Sequence, residues 1–158
     1  MTSYFREPRN VELSTLKYLE DSFTSDWSDI TICKTFKQVY AKNTNIPVVC
    51  VRLADTDTVR LEIGSKTLEN RYLIIIDVFA RSDAQRLDIA GYIKNKLKDG
   101  WVHYDHGHVS GDNTTLELTA NGRDNITEFV TDARIDFTET VDDKDKYRHN
   151  ISVRVRKG

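Results

Sequence analysis

The chain has 158 residues, enough for one domain that buries roughly two thirds of the surface its unfolded form exposes. Its composition, 39% hydrophobic and 30% charged with two prolines and seven glycines, excludes the disordered and fibrous classes. Lys and Arg total 23 against 25 Asp and Glu, so the formal charge of −2 gives no global attraction to nucleic acid.

The first residues, Met1 to Pro8, carry no apolar stretch of signal-peptide length, and the longest aliphatic run, Leu73 to Ile76, is far too short to span a bilayer. Both point to a protein used in the cytoplasm, or in something assembled there, with no membrane partner. From Val11 the apolar residues Leu16, Leu19 and Phe23 recur at helical spacing and the pattern ends in Ser25-Asp26-Trp27-Ser28-Asp29, which predicts a helix over about 9–24. Ile30, Ile32, Phe36 and Val39-Tyr40 suggest an extended segment next.

Ile46-Pro47-Val48-Val49-Cys50-Val51-Arg52-Leu53 is a β-branched run with its proline at the start, where a missing N–H costs least, and it predicts a buried strand. Cys33 and Cys50, the only cysteines, both lie in such apolar runs and read as small buried thiols. Val59, Leu61 and Ile63 then alternate with Thr58, Arg60 and Glu62 before Gly64-Ser65, a half-exposed strand in a long polar connection between Leu53 and Asn70. Arg71 to Ala80 is apolar on both faces until Asp77, as expected of a central strand covered on both sides. Asp77 is either a buried acid or a carboxylate that emerges from the strand to meet an Arg or Lys.

Ser82 with Gln85 forms a capping-box signature, and Leu87, Ala90, Ile93 and Leu97 form one face of a helix over about 83–99, with Gly100 as its C-terminal cap. Trp101 to Asp105 follows. Further strands are expected around Thr115 to Thr119, Glu128 to Thr138 and Ile151 to Arg156, with Asn121-Gly122-Arg123 as a β-turn and Val141 to Lys146 as a charged hairpin tip. The order of elements predicts an α+β domain over 1–158: a mixed, mainly antiparallel sheet of about five to six strands with two main helices against it.

Chemistry-bearing groups are few. His103, Asp105, His106 and His108 lie within six residues and could be metal or acid–base equipment; the alternative is a set of solvated turn histidines. No cysteine has a neighbouring His, and no nucleophile elbow or phosphate-binding loop is present in the sequence. Arg154 and Arg156 share one face of an extended segment, as a solvated or interface face or as a contact to DNA backbone, with Arg134, Arg148 and Lys157 nearby. No catalytic, cofactor or metal residues are assigned. Strands alternating polar and apolar groups favour an interaction or structural role.

Ile46-Pro47 through Gly64-Ser65, Arg71-Tyr72, Val78-Phe79-Ala80-Arg81-Ser82, Gln85-Arg86-Leu87-Asp88, Gly100 and Tyr104-Asp105, with Asp145, Tyr147-Arg148 and Ile151-Ser152-Val153 near the end, resemble the tail terminator or tail-completion proteins of tailed bacteriophages. The resemblance implies a cofactor-free virion subunit. Such subunits form a hexameric ring at the head-proximal end of the tail, halt tube growth, and meet tail tube protein on one side and the head connector or stopper on the other. DNA would pass through the channel without specific binding. A head-closure or stopper ring is the nearest alternative; a small metal enzyme using His103 to His108 and a DNA-binding module are the others. On the leading reading, contacts to neighbours are expected from Asp55, Asp57, Arg60, Glu62, Lys66 and Glu69 in the first polar connection, from Asp142, Asp143, Lys144 and Asp145 in the second, and from Arg154 and Arg156.

Overall fold

In the computed structural model, residues 6–27, 29–61, 63–64, 68–106, 118–136 and 143–158 are described. The chain runs α1 (Glu7–Asp26), β1 (Thr31–Cys33), a single turn α2 (Phe36–Val39), β2 (Val48–Arg60), β3 (Leu68–Ala80), α3 (Asp83–Leu97), β4 (Trp101–His106), β5 (Leu118–Ile135), a 3-10 turn (Asp143–Asp145) and β6 (Tyr147–Lys157). The strands form one six-stranded sheet in the order β1-β2-β3-β6-β5-β4. Only β1 against β2 is parallel; every other pairing is antiparallel. The class is therefore the expected one, an α+β fold with two main helices on a curled, mostly antiparallel sheet.

The concave face holds the main core. Val11, Leu19 and Phe23 of α1 and Ile89, Ala90, Ile93 and Leu97 of α3 pack on Val49, Val51, Tyr72, Ile74, Ile76, Val78, Trp101, Ile151, Val153 and Val155. These strand positions are alternate residues, as the period of two requires. The helix face of α3 is rotated from the expected one: Arg86 and Ile89 are buried while Leu87 is 54% exposed. At 100° per residue, a stripe centred on Ile89, Ile93 and Leu97 carries Leu87 away from the sheet. Ser82 accepts from Gln85 N, and the Gln85 side chain reaches back to Arg81 N at 2.8 Å, so the N-terminal cap forms one residue wider than the usual box. Gly100, with φ of 74°, closes the other end by donating to Leu97 O at 3.0 Å.

A smaller cluster, Cys33, Val39, Val48, Cys50 and Phe79 with Phe36 and Ile46 against it, covers one corner of the convex face. Both thiols are free and buried, as the sequence suggested, and burial pushes Cys50 up to about 12, which leaves it without a reactive thiolate. The segment after Ile30 is not one strand. Thr35 and Gln38 form a complete capping box, with Thr35 Oγ1 accepting from Gln38 N and Gln38 Oε1 accepting from Thr35 N, which stops the strand at Cys33 and starts α2.

The half-exposed strand expected in the connection between Leu53 and Asn70 is present, as the continuation of β2 through a bulge at Ala54 to Arg60, and β3 already begins at Leu68, so less of the connection is loop than expected. A further correction concerns β5, which runs unbroken from Leu118, so Asn121-Gly122-Arg123 is no β-turn. His103 faces an extra residue there, and Gly122 accommodates this bulge with a φ of 80°. Residues 115–117 and 137–142 of the expected strands and hairpin tip lie outside the described residues.

Helix α1 fills the gap between the sheet's two edge regions. Ser14 Oγ accepts from the β4 amide of Tyr104 at 2.9 Å, and Glu12 Oε2 accepts from the β2 amide of Leu53 at 2.9 Å. Edge amides that would otherwise lack partners are thereby satisfied from the core side. No helix among the described residues is long and apolar enough to cross a membrane.

Candidate functional site

Beyond Tyr72 and Leu53 the β2–β3 hairpin leaves the body. Its ladder continues from Asp55↔Leu73 to Arg60↔Leu68, whereas β6 pairs with β3 only from Tyr72 onward. Beside it β6 runs on to Lys157, and Leu61, Leu68, Glu69 and Asn70 line a cavity with Glu7, Arg156, Lys157 and Gly158. Thr58 donates to Asn70 across this arm at 2.8 Å. Its base is fixed by Glu69, which accepts from Arg156 Nη1 of β6 at 2.9 Å and from Arg71 Nε at 2.9 Å. The Arg156 bond and then the Arg71 bond hold the Glu69 carboxyl below the usual carboxylate range. At the end of the arm Leu61 is 53%, Ile63 106% and Leu68 57% exposed. Single apolar residues on a surface need no explanation, but three exposed ones within eight residues at the end of one hairpin single out this end as a candidate contact.

Of the residues expected to meet neighbours, Asp55, Asp57 and Arg60 are exposed on this arm and Glu69 is its anchor. Glu62 and Lys66, although in the same connection, and Asp142 lie outside the described residues. Asp143 opens the 3-10 turn. Lys144 and Asp145 turn inward rather than out. Lys144 Nζ donates to Val39 O at 2.7 Å and Ala41 O at 2.9 Å, while Asp145 accepts from the Tyr40 hydroxyl and sits 3.6 Å from Arg148. Because this turn adjoins the Ala80 end of β3 and the arm grows from the Leu68 end, the two expected contact regions occupy opposite ends of the sheet. Arg154 and Arg156 do share a face, but their guanidiniums already stand opposite Glu128 at 4.0 Å and Glu69 at 2.9 Å.

Asp77 is buried and paired at once, so both sequence readings of it hold in part. Its Oδ1 accepts from Arg148 Nη2 at 3.3 Å and Asn150 Nδ2 at 3.1 Å, and Oδ2 lies 3.8 Å from Arg52. Both guanidiniums lie on aromatic faces, Arg52 4.6 Å and Arg148 5.1 Å from the Phe36 ring centroid. With Asp145 beside Arg148, two acids balance two arginines under the α2 turn, an arrangement that pins α2 to the sheet.

His103 is no solvated turn histidine. It is 1% exposed in β4, with Nδ1 2.9 Å from Asp124 Oδ1 and Nε2 3.8 Å from Asp105. Burial raises the Asp124 carboxyl above its usual range against the pull of His103. Asp105 in turn accepts from Asn121 at 2.9 Å and Asn10 at 3.4 Å, which ties α1 to the far edge of the sheet. His106 closes β4, and His108 lies outside the described residues. Among the described residues no group of three or more His, Cys, Asp and Glu could hold a metal ion.

The sequence did not single out three other exposed apolar side chains, one on α3 and two on β5. Leu87, Phe129 and Val130 are 54%, 39% and 45% exposed. The pairing of β5 with β6 slips at Thr127 and again at Val130, so these two residues are bulged out of register. A helical period of 3.6 assigned Leu87 to the core, which is why the signal was missed. No family model and no curated protein sequence matches the chain.

Proposed function

We propose that this chain is a structural virion protein without catalytic activity: the subunit of a tail terminator ring that caps the head-proximal end of a phage tail tube. In that role it stops tube polymerisation and joins the tail to the head connector, and DNA slides through the ring without being held. The carrying observation is the β2–β3 arm, a hydrogen-bonded hairpin anchored through Glu69 and ending in the exposed Leu61, Ile63 and Leu68. An arm of this kind suits a subunit that must reach a neighbour, and the resemblance of the sequence to tail-completion proteins names the assembly. The arm and the 3-10 turn at opposite ends of the sheet offer separate surfaces for two axial partners. Arginines already matched by carboxylates at Arg154 and Arg156 suit a channel that lets DNA pass.

The test is the mass of the purified protein by light scattering, alone and with tail tube protein, together with negative-stain imaging. Six-fold rings, or monomers that become rings on tube ends, are the expected result. A monomer or dimer that leaves tubes uncapped and growing overturns the proposal.

A further inference from the structure

We propose that His149 is an acid-operated latch for the first turns of α3: a proton taken up on its Nδ1 expels the buried Arg86 guanidinium and frees that end of the helix from the sheet. The inference concerns one subunit by itself and does not depend on assembly.

His149 of β6 and Arg86 of α3 are both buried, and Arg86 Nη1 lies in hydrogen-bond contact with His149 Nδ1. A guanidinium has only donors, so Nδ1 must hold a lone pair. The ring's single proton is therefore on Nε2, which donates it to Asp132 Oδ1 of β5 at 2.6 Å. Asp132 is fit to accept it. Burial works against its charge, but bonds from His149 and from Lys94, 2.8 Å from Oδ2, hold the carboxyl below its usual range. One neutral imidazole thus joins three elements, with its tautomer fixed at both nitrogens.

The charges around the ring leave no place for a second proton. From α3 come Asp83, Arg86 and Lys94, and from β5 come Asp132 and Arg134, the ladder neighbour of His149. Arg86 lies 3.0 Å from Asp83, Lys94 2.8 Å from Asp132, and Arg134 3.7 Å from Asp83 and 2.8 Å from Asp136, so three cations stand against three carboxylates. From β3 the ladder neighbour is Val78, and Asp77 is held instead by Arg148 and Asn150. Two residues along β6 on either side are the uncharged Tyr147 and Ile151. An imidazolium would be a fourth cation in a buried site, its Nδ1–H aimed at an N–H of Arg86. The guanidinium has a way out, because Asp83 is half exposed and also accepts from Arg86 Nε at 3.0 Å. Arg86 N makes the first bond of the helix, to Ser82 O at 3.0 Å, so its departure acts where α3 begins.

Nitrogen-15 NMR of the full-length protein tests this. The His149 ring signals are assigned by their loss in H149N, whose amide oxygen keeps an acceptor for Arg86 but takes up no proton. At about pH 7.5 the wild-type ring should show a bare Nδ1 and a protonated Nε2. At about pH 5, where a free imidazole is charged, both nitrogens should be protonated. Protection factors of residues 87–90, corrected for intrinsic exchange, should then fall by about tenfold or more. In H149N the same factors should not respond to that change of pH. A proton on Nδ1 already at pH 7.5, a ring that stays neutral at pH 5, or equal responses of the wild type and H149N overturns the latch. Should H149N not fold, R86M takes its place: with no guanidinium to expel, α3 should be as protected at pH 5 as at pH 7.5, and an acid response like that of the wild type overturns the proposal.

Discussion

Strands β2 and β3 each live in two environments. Between Val48 and Leu53, and from Tyr72 to Ala80, they are sandwiched between the α1–α3 core and the α2 corner, and nearly every core-facing side chain is fully buried. From Asp55 to Arg60, and from Leu68 to Arg71, the same ladder continues with polar groups on both faces and almost nothing against it. Pairing thus persists where packing stops. In the body, burial stabilises the strands; in the arm, cross-strand bonds and the Glu69 anchor hold a ladder that ends in exposed apolar side chains.

Substitutions should separate the two halves. Phe23→Ala, which opens a cavity beneath Tyr92 in the concave core, should cost about 3–5 kcal/mol in urea unfolding. Asp77→Ala strands Arg52 and Arg148 beneath the α2 turn. Arg52 is 37% exposed, so the loss should be about 2–3 kcal/mol, below the ~3–5 of a fully buried pair, and Asp77→Asn should recover part of it. Ser14→Ala removes the partner of the Tyr104 amide at the β4 edge and should cost about 1–2 kcal/mol, again by urea titration. The arm should behave oppositely: serine at Leu61, Ile63 and Leu68 together should move stability by no more than ~0.5 kcal/mol while abolishing assembly. Acid should loosen the anchor of the arm. Because the folded carboxyl of Glu69 is held below its ordinary 4.5, its bonds to Arg156 and Arg71 contribute fully above that pH and are lost as pH falls below it. Protection factors of residues 68–71, corrected for the intrinsic pH dependence of amide exchange, should fall there in the wild type, and Glu69→Gln should show the lower protection already at neutral pH.

Much of this was legible in the residues. The two helices, the central strand at Tyr72 to Ala80, the buried thiols and the Gly100 cap all follow from periodicity and local backbone chemistry. The failures share a cause. Thr35 with Gln38 ended a strand through side-chain bonds that an apolar pattern does not register. Asn121-Gly122 looked like a turn because a glycine of positive φ serves a bulge as well as a hairpin. Beyond Leu53 the alternation around Val59 did mark a strand, but not that it is the unbroken continuation of β2 through a bulge at Ala54. His103 looked solvated because its partner, Asp124, is 21 residues away.

By itself the amino-acid sequence determined the class of fold, the identity of the core strands and the absence of a net charge that would hold DNA, since these depend on composition and on order along the chain. Only the tertiary structure decided which carboxylates and guanidiniums are spent on each other, that Leu87 turns outward, and that Leu61, Ile63 and Leu68 are exposed at the end of the hairpin. Those are distances between residues far apart in the chain, fixed by the curl of the sheet and the rotation of α3 upon it, and no local pattern carries them.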